Sequence, residues 1–208
     1  MIFHKDKPMI KVYGDLISGN CYKVKLILEL TGQAHEWIHT DVVNGDTRTP
    51  EFLKKNVNGR IPLVEFEDGS FMPESNALLF YFAQGSRYWP QNIRKQAETL
   101  QWMFFEQYSH EPFIATSRFW IKFLNGKEQF SKQLADAQPK GYAALEVMES
   151  ALAETDWFVG SQATIADIAL FAYTHRAHEG GFSLEGYAAI RQWIKRVESL
   201  PGFVAMPD

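Results

Sequence analysis

Pro62 stands directly before the apolar segment of residues 63–66, and this placement constrains the fold more than any other feature of the chain. A proline lacks the backbone N–H that a central strand donates to its neighbours, so it is tolerated where a strand begins but not within the hydrogen-bonded ladder. The pattern therefore predicts a strand that starts just after Pro62. If the Ile61–Pro62 peptide bond is cis, the backbone N–H and C=O of Ile61 turn outward and become available to a ligand.

Strand and helix patterns alternate around this point up to residue 83. Short apolar strands bounded by turn residues alternate with segments of helical periodicity and lead to a hairpin around the Asp68-Gly69 turn. The predicted strands cover residues 9–13, 36–39, 63–66 and 71–72, and the predicted helices cover 19–30, 50–55 and the segment after Ser75. The element order is β-α-β-α-β-β-α.

The pattern changes after residue 83. Residues 84–92 contain glycine, serine and proline and predict a linker, and beyond them helical periodicity dominates. Thr164 and Asp167 fit a capping box at the start of one of these helices. The sequence therefore predicts an α/β domain over residues 9–84 and an all-α domain, a C-terminal helical bundle, over residues 92–208.

Composition disfavours several classes of function. The formal net charge is −4, which gives no indication of a nucleic-acid partner. The apolar runs are far shorter than the roughly 20 residues that a membrane span needs, so no membrane partner is expected. The single cysteine, Cys21, and an N-terminus without a secretory pattern favour a reducing, cytoplasmic location. His175 and His178 lack a third positioned ligand, so no metal site is expected.

The loop of residues 17–21 has the features of a thiol-activating site. Ser18 falls at or just before the start of a predicted helix, where amide donors and a partial positive charge favour an anion. A thiol with a pKa near 8.5 is about 3% ionised at pH 7, and lowering that pKa by about two units needs roughly 2.7 kcal/mol. A hydrogen bond to the thiolate supplies about 1.5–3 kcal/mol and the helix end about 0.3–1 kcal/mol. The Ser18 hydroxyl, assisted by the amide of Asn20, is therefore sufficient to activate a bound thiol. The alternative is that Ser18 only caps the helix.

A second helix start lies downstream, where Ser75 is expected as the N-cap before the apolar residues 77–83. Such a helix start binds carboxylates. Together with the backbone of Ile61, it predicts a site for a small peptide-like anion.

These motifs, taken in order, resemble the cytosolic glutathione transferases over residues 10–207. The resemblance implies a thioredoxin-like first domain, a helical second domain, a cytoplasmic homodimer and no cofactor beyond glutathione as a co-substrate. It implies that Ile61, before Pro62, pairs with the backbone of the glutathione cysteine. It further implies that Glu74 and Ser75 bind the γ-glutamyl end and that Arg60 reaches the glycine carboxylate.

The resemblance leaves the thiol-activating residue open. Tyrosine-type members use a residue at the end of the first strand, near Tyr13, whereas serine-type members use the position of Ser18. Some bacterial members carry Thr-Pro-Asn-Gly-Arg-Lys-Val at the segment matched here by residues 18–24, which favours Ser18 with Asn20. Cys21 shares a face with apolar neighbours and is expected to be buried, which disfavours a mixed-disulfide oxidoreductase.

The second substrate is expected to be a small apolar electrophile that meets the helical domain. The aromatic run from Phe104 to Trp120 is interpreted as mostly core, with Tyr108 and Phe113 as candidates for a pocket wall. The expected reaction is attack of the glutathione thiolate on this electrophile. The alternatives are a glutathione-dependent peroxidase or isomerase, or a scaffold of the same fold without turnover.

Overall fold

A computed structural model describes residues 9–208. The chain divides into two compact units, one reaching to Phe82 and including Val204–Asp208, the other comprising Ala83–Phe203. The expected domain ranges, 9–84 and 92–208, remain predictions. The expectation about a secretory pattern at the N-terminus concerns residues 1–8, which lie outside the described part of the chain.

The first unit is built on a four-stranded mixed sheet with the strand order β2-β1-β3-β4. β1 pairs in parallel with β2 and antiparallel with β3, and β3 pairs antiparallel with β4. The strands are β1 (Ile10–Gly14), β2 (His35–His39), β3 (Leu63–Glu65) and β4 (Phe71–Pro73). The helices are α1 (Gly19–Leu30), α2 (Pro50–Lys55) and α3 (Ser75–Ala83), with a 3-10 turn at Asp46–Arg48 before α2. This order confirms the predicted β-α-β-α-β-β-α arrangement and the thioredoxin-like fold.

Local chemistry explains where these elements begin. Thr49 caps α2, since its hydroxyl accepts a hydrogen bond from the Phe52 N–H at 3.2 Å, and Pro50 occupies the first helical position, where its missing N–H costs nothing. Pro62 is buried, and β3 starts at the residue that follows it. The predicted start of this strand is therefore confirmed.

The second unit is helical, in agreement with the prediction. Two π-helical segments, Glu106–His110 and Phe119–Phe123, extend the first two of its helices, and a 3-10 turn at Ala177–Gly180 precedes the last. The helices are α4 (Ile93–Phe105), α5 (Glu111–Arg118), α6 (Ser131–Glu154), α7 (Ile165–Thr174) and α8 (Ala188–Glu198). Within residues 9–208, none of the helices combines the length and apolar character needed to cross a membrane.

The start of α7 contains the capping box expected from the sequence. The Asp167 carboxylate accepts hydrogen bonds from the backbone N–H of Thr164 at 2.8 Å and that of Phe158 at 3.2 Å. It also accepts from the indole N–H of Trp193 at 3.0 Å, so it joins α7 to α8. Asp167 is fully buried, and burial raises its pKa even though these bonds stabilise the charged form.

The expectation that the aromatic run from Phe104 to Trp120 is mostly core is wrong for Phe104, whereas Tyr108 was expected at a pocket wall. Phe104 is 68% exposed and Tyr108 is 84% exposed. The π-helical segment inserts an extra residue per turn just before Pro112, which shifts the helical phase relative to a regular periodicity. A pattern read at 3.6 residues per turn therefore loses its register from residue 106 onwards, whereas Phe104 lies before this segment, within α4.

Candidate active site

Ser18 occupies the N-cap position of α1 without using its side chain as a cap. Its backbone carbonyl accepts the hydrogen bond from the Tyr22 N–H at 2.8 Å, whereas its hydroxyl is hydrogen-bonded to the thiol of Cys21. The simple capping interpretation therefore does not account for the hydroxyl. The half-buried Ser18 side chain lies at the helix end, where donors favour an anion.

Cys21 lies one turn further along α1 and is fully buried. Burial raises the pKa of its thiol to about 12, although the hydrogen bond with Ser18 acts in the opposite direction. The thiol is therefore protonated at neutral pH, and a thiolate nucleophile at this position is disfavoured. The expectation that Cys21 is buried is confirmed.

Asn20 and Ser75 meet although 55 residues separate them in the sequence. The hydroxyl of the buried Ser75 donates a hydrogen bond to the Asn20 Oδ1 atom at 2.9 Å. The bond joins the first turn of α1 to the first residue of α3. The structure thus brings two of the predicted site residues into direct contact.

The helix cap at this point differs by one residue from the prediction. The backbone carbonyl of Glu74, not that of Ser75, accepts the first hydrogen bond of α3, from the Leu78 N–H at 3.0 Å. Glu74 is therefore the N-cap and Ser75 the first helical residue. Glu74 has a φ of 74°, in the left-handed region, which costs a residue with a side chain on the order of 1 kcal/mol. The exposed Glu74 side chain thus starts from an unusual backbone position beside the amide donors of α3.

The peptide bond between Ile61 and Pro62 is cis. Ile61 is half-buried, whereas Arg60 is exposed. The backbone carbonyl of Arg60 accepts a hydrogen bond from the side chain of Asn56 at 2.8 Å. The backbone just before Pro62 is therefore held by a hydrogen bond from a side chain of the same unit.

Asn56 is a site-supporting residue that the sequence analysis missed. Only 4% of this residue is exposed, and its Oδ1 atom accepts a hydrogen bond from the Asn58 N–H at 3.1 Å. Its backbone carbonyl accepts from the Gly59 N–H at 2.9 Å, so one residue holds three successive positions of the loop, 58 to 60. An asparagine that ends a short helix two residues before Asn58-Gly59 is the signal that could have identified it.

Arg48 lies against the same loop. Its Nη1 atom donates a hydrogen bond to the Asn58 carbonyl at 3.3 Å. Gly59 has a φ of 60°, and a Cβ atom at this position would lie only 2.6 Å from that Nη1 atom. The Arg48 side chain could move aside, but the Thr47 backbone carbonyl oxygen would lie 2.9 Å from the same Cβ atom, so both the backbone conformation and this oxygen favour glycine at position 59.

Tyr13 has its hydroxyl engaged elsewhere in the first unit. The hydroxyl donates a hydrogen bond to Glu65 at 2.6 Å and accepts one from the ammonium group of Lys55 at 2.7 Å. The hydrogen bond from Tyr13 lowers the pKa of the Glu65 carboxyl. These two hydrogen bonds account for the position of the Tyr13 hydroxyl without a catalytic role.

Tyr108 and Phe113 lie together in the second unit. Both line a cavity of about 610 Å³. Phe113 is half-buried, and the exposed Tyr108 lies on the π-helical segment that precedes α5. The structure therefore groups the two residues that were expected to form a pocket wall.

His175 and His178 do not form a cluster of metal ligands. The imidazole Nδ1 atom of His175 is 2.7 Å from the Phe171 carbonyl, and burial lowers the pKa of His175 to about 4. Glu179 is paired with Arg118 and Lys122. Among the side chains of residues 9–208, no group of three or more histidine, cysteine or acidic residues is placed to hold a metal ion.

Comparison with known proteins identifies the family. Residues 12–87 match the N-terminal domain of glutathione S-transferases, and residues 100–201 match their C-terminal domain. The chain belongs to the glutathione S-transferase family. The expectation drawn from the sequence motifs is therefore confirmed at the level of family and fold.

Relatives of this glutathione S-transferase family member cover almost its whole length. The crystal structure of a glutathione S-transferase from Pseudomonas fluorescens is 50% identical, covers 96% of this chain and 100% of its own, and superposes with a TM-score of 0.94. Glutathione S-transferase 2 of Anopheles gambiae is 30% identical over 89% of this chain and 88% of its own. The disulfide-bond oxidoreductase YfcG of Escherichia coli is 26% identical over 88% of this chain and 87% of its own.

Proposed function

We propose that the protein is a glutathione transferase of the serine type, in which the Ser18 hydroxyl stabilises the thiolate of bound glutathione. The observation that carries this proposal is the position of Ser18 at the start of α1 with a side chain that does not cap the helix. A hydrogen bond from this hydroxyl and the partial positive charge of the helix end both favour the thiolate over the thiol. Asn20 assists from the same turn.

The remaining residues of the first unit hold the tripeptide in this proposal. The backbone of Ile61, turned at the cis bond to Pro62, pairs with the cysteine residue of glutathione. Glu74 and Ser75 bind the γ-glutamyl end at the start of α3, where backbone N–H groups favour a carboxylate. Arg60 is exposed and is proposed to reach the glycine carboxylate.

The chemistry is a nucleophilic substitution or addition. The glutathione sulfur forms a bond to an electrophilic carbon of a small apolar molecule, and in a substitution the leaving group departs with the bonding pair. The protein supplies orientation and electrostatic stabilisation. The helical unit supplies the pocket for the electrophile, with Tyr108 and Phe113 in its wall.

The experiment is retention on immobilised glutathione followed by turnover with a neutral aryl chloride. The proposal expects both retention and turnover. Retention without turnover of any electrophile supports a glutathione-dependent peroxidase or isomerase, which a peroxide and an isomerisable substrate would then test. Absence of both retention and turnover supports a scaffold that keeps only the fold.

We further propose that the protein is a cytoplasmic homodimer with a role in detoxification. The helix of residues 76–83 is proposed to pack against residues 93–111 of a second copy. In support, large apolar side chains are exposed in both segments, with Tyr81 at 48% and Ile93 at 77%. Light scattering coupled to size-exclusion chromatography measures the assembly state, and a monomeric mass would contradict the dimer.

Replacing Tyr13 with phenylalanine should leave turnover within about twofold of the wild type, because its hydroxyl is committed to Glu65 and Lys55. The pKa of Glu65 should rise towards its ordinary value, since the hydrogen bond that lowers it most is removed. A lowered carboxyl pKa contributes stability above the unfolded pKa, and this contribution is lost as the pH falls. The variant should therefore lose less stability than the wild type between about pH 5 and pH 3.

Two measurements check this prediction. Steady-state kinetics give the turnover, and urea unfolding at a series of pH values gives the pH dependence of the free energy of unfolding. A tenfold or greater loss of turnover in a folded Tyr13→Phe variant would show that Tyr13, and not Ser18, activates the thiol.

Replacing Asn56 with alanine should weaken glutathione binding without changing the chemical step. The change removes the acceptor for the Asn58 N–H and the donor to the Arg60 carbonyl, so the loop before Ile61 loses its support. We expect the KM for glutathione to rise about fivefold while kcat changes less than twofold, since the lost interaction positions the bound ground state.

The matched control is Asn58→Ala. Asn58 is exposed, and the bonds that tie it to Asn56 and Arg48 run through its backbone, which the substitution keeps. Its KM should stay close to that of the wild type. An unchanged KM in a folded Asn56→Ala variant would show that the loop keeps its shape without this side chain.

A further inference from the structure

The cavity beside Tyr108 and Phe113 lies entirely within the helical unit. It is formed between the segment of residues 105–113 and one face of α6. Aromatic rings, alanine and valine side chains make most of its wall. The residues that line it are Phe105, Gln107, Tyr108, Ser109, Pro112, Phe113, Lys140, Ala143, Ala144 and Val147. A volume of about 610 Å³ is in the range of sites for small organic ligands.

One charge interrupts this apolar wall. Among the cavity-lining residues of the described chain, Lys140 is the only one with a charged side chain. Lys140 is exposed, and its ammonium nitrogen lies 5.3 Å from the centroid of the Phe113 ring, so it is positioned over an aromatic face of the cavity wall. Glu111, near the rim, has its carboxylate engaged at 2.6 Å by the side-chain amide of Gln107.

A lysine over an aromatic wall favours one chemical class of ligand. An aromatic ring gains contact with the apolar surface whatever its substituents, but only an acidic substituent gains an ion pair with the ammonium group. Because the flexible lysine stem can swing from the Phe113 ring towards an anion, the ion pair needs no rearrangement of the backbone. A neutral ligand of the same shape would leave the lysine with its ring contact alone.

We infer that this cavity binds small aromatic molecules that carry a carboxylate or another acidic group, with the acid at Lys140 and the ring against Tyr108 and Phe113. The inference rests on the proposed function, in which this cavity receives the second substrate, and it names the substrate class. It predicts a preference for aryl acids over neutral aryl compounds of equal size.

The test compares 2-naphthoate with the neutral 2-naphthamide, which has the same ring system and nearly the same shape. Isothermal titration calorimetry on the full chain should show that 2-naphthoate binds at least fivefold more tightly. Lys140→Gln should bring the two affinities within twofold of each other, because the ammonium group is lost and the stem is kept. The matched control is Lys132→Gln, an exposed lysine in the first turn of α6 that does not line the cavity, which should keep the preference.

A second variant locates the binding site. Ala143 lines the cavity and is exposed, so Ala143→Trp should fold and fill the space. It should weaken binding of both naphthalene compounds at least fivefold. Equal affinities in the wild-type protein, a preference that survives Lys140→Gln, or absence of binding because assembly closes the cavity would each overturn the inference.

Two further measurements separate this inference from the proposed function. Retention on immobilised glutathione and turnover of a neutral aryl chloride are measured in the wild-type protein and should persist in the control Lys132→Gln. If wild-type protein performs both but shows no preference for 2-naphthoate, only the inference about acidic ligands fails. If it performs neither while Lys140 still selects 2-naphthoate, only the proposed function fails.

Discussion

Replacing Ser18 with alanine should lower turnover of an aryl chloride at least tenfold while the fold and the affinity for glutathione are kept. The change removes the hydrogen bond that the hydroxyl gives to the thiolate, which is worth about 1.5–3 kcal/mol for a charged acceptor. Each 1.4 kcal/mol corresponds to a tenfold change in the ionised fraction as long as the thiol is mostly protonated. The stability should fall by no more than about 1 kcal/mol, because the Ser18 side chain does not cap α1 and gives up only its hydrogen bond with the Cys21 thiol.

The pH dependence of this variant gives a second readout. The pKa of bound glutathione should rise towards that of a free thiol, so the rate should recover as the pH is raised. The ultraviolet absorbance of the thiolate, followed across a pH series, measures this pKa directly. Wild-type turnover with an unchanged thiol pKa in Ser18→Ala would assign the role to the Asn20 amide or to Tyr13.

Replacing Asp167 with alanine should lower the free energy of unfolding by about 3–5 kcal/mol, since it leaves three buried N–H donors without their acceptor at about 1–3 kcal/mol each. These donors are the backbone N–H groups of Thr164 and Phe158 and the indole N–H of Trp193. Part of the loss is offset because burial of the charged carboxylate is itself unfavourable, as its raised pKa shows. Urea unfolding measures the change.

Two variants calibrate this result. Thr164→Ala removes the hydroxyl that accepts from the Ala166 N–H at 3.3 Å and donates to the Asp167 carboxylate at 3.2 Å, and should cost about 1 kcal/mol, as is usual for a helix cap. Asp136→Ala, at an exposed position of α6, should be within about 0.5 kcal/mol of the wild type. A loss in Asp167→Ala no larger than that in Thr164→Ala would show that the bonds to Phe158 and Trp193 contribute nothing.

Much of the fold could be predicted because its signals are local. Proline before an apolar segment fixes the start of β3, and Thr164 with Asp167 fixes the start of α7. The periodicity of residues 19–30 and 50–55 gives the bounds of α1 and α2 as the structure has them. Each of these signals is contained within a few residues of sequence.

The unpredicted parts of the site depend on contacts between residues that are distant in the sequence or on irregular backbone. The bond between Ser75 and Asn20 spans 55 positions, and no spacing rule encodes it. The left-handed conformation of Glu74 moves the cap of α3 by one residue, although glutamate carries no preference for that conformation. The π-helical turn at residues 106–110 changes the phase of the helical stretch that carries Tyr108 and Phe113, which a regular sequence period does not show.

The hydrogen bond between Ser75 and Asn20 restricts what Ser75 can offer to a bound molecule. A serine hydroxyl has one proton, and here that proton points at the Asn20 Oδ1 atom. While this bond persists, the Ser75 oxygen can receive a hydrogen bond from a ligand but cannot donate one. In the proposed glutathione complex, the protonated amine of the γ-glutamyl end would therefore donate to this oxygen, and the adjoining carboxylate would bind the backbone N–H groups at the first turn of α3.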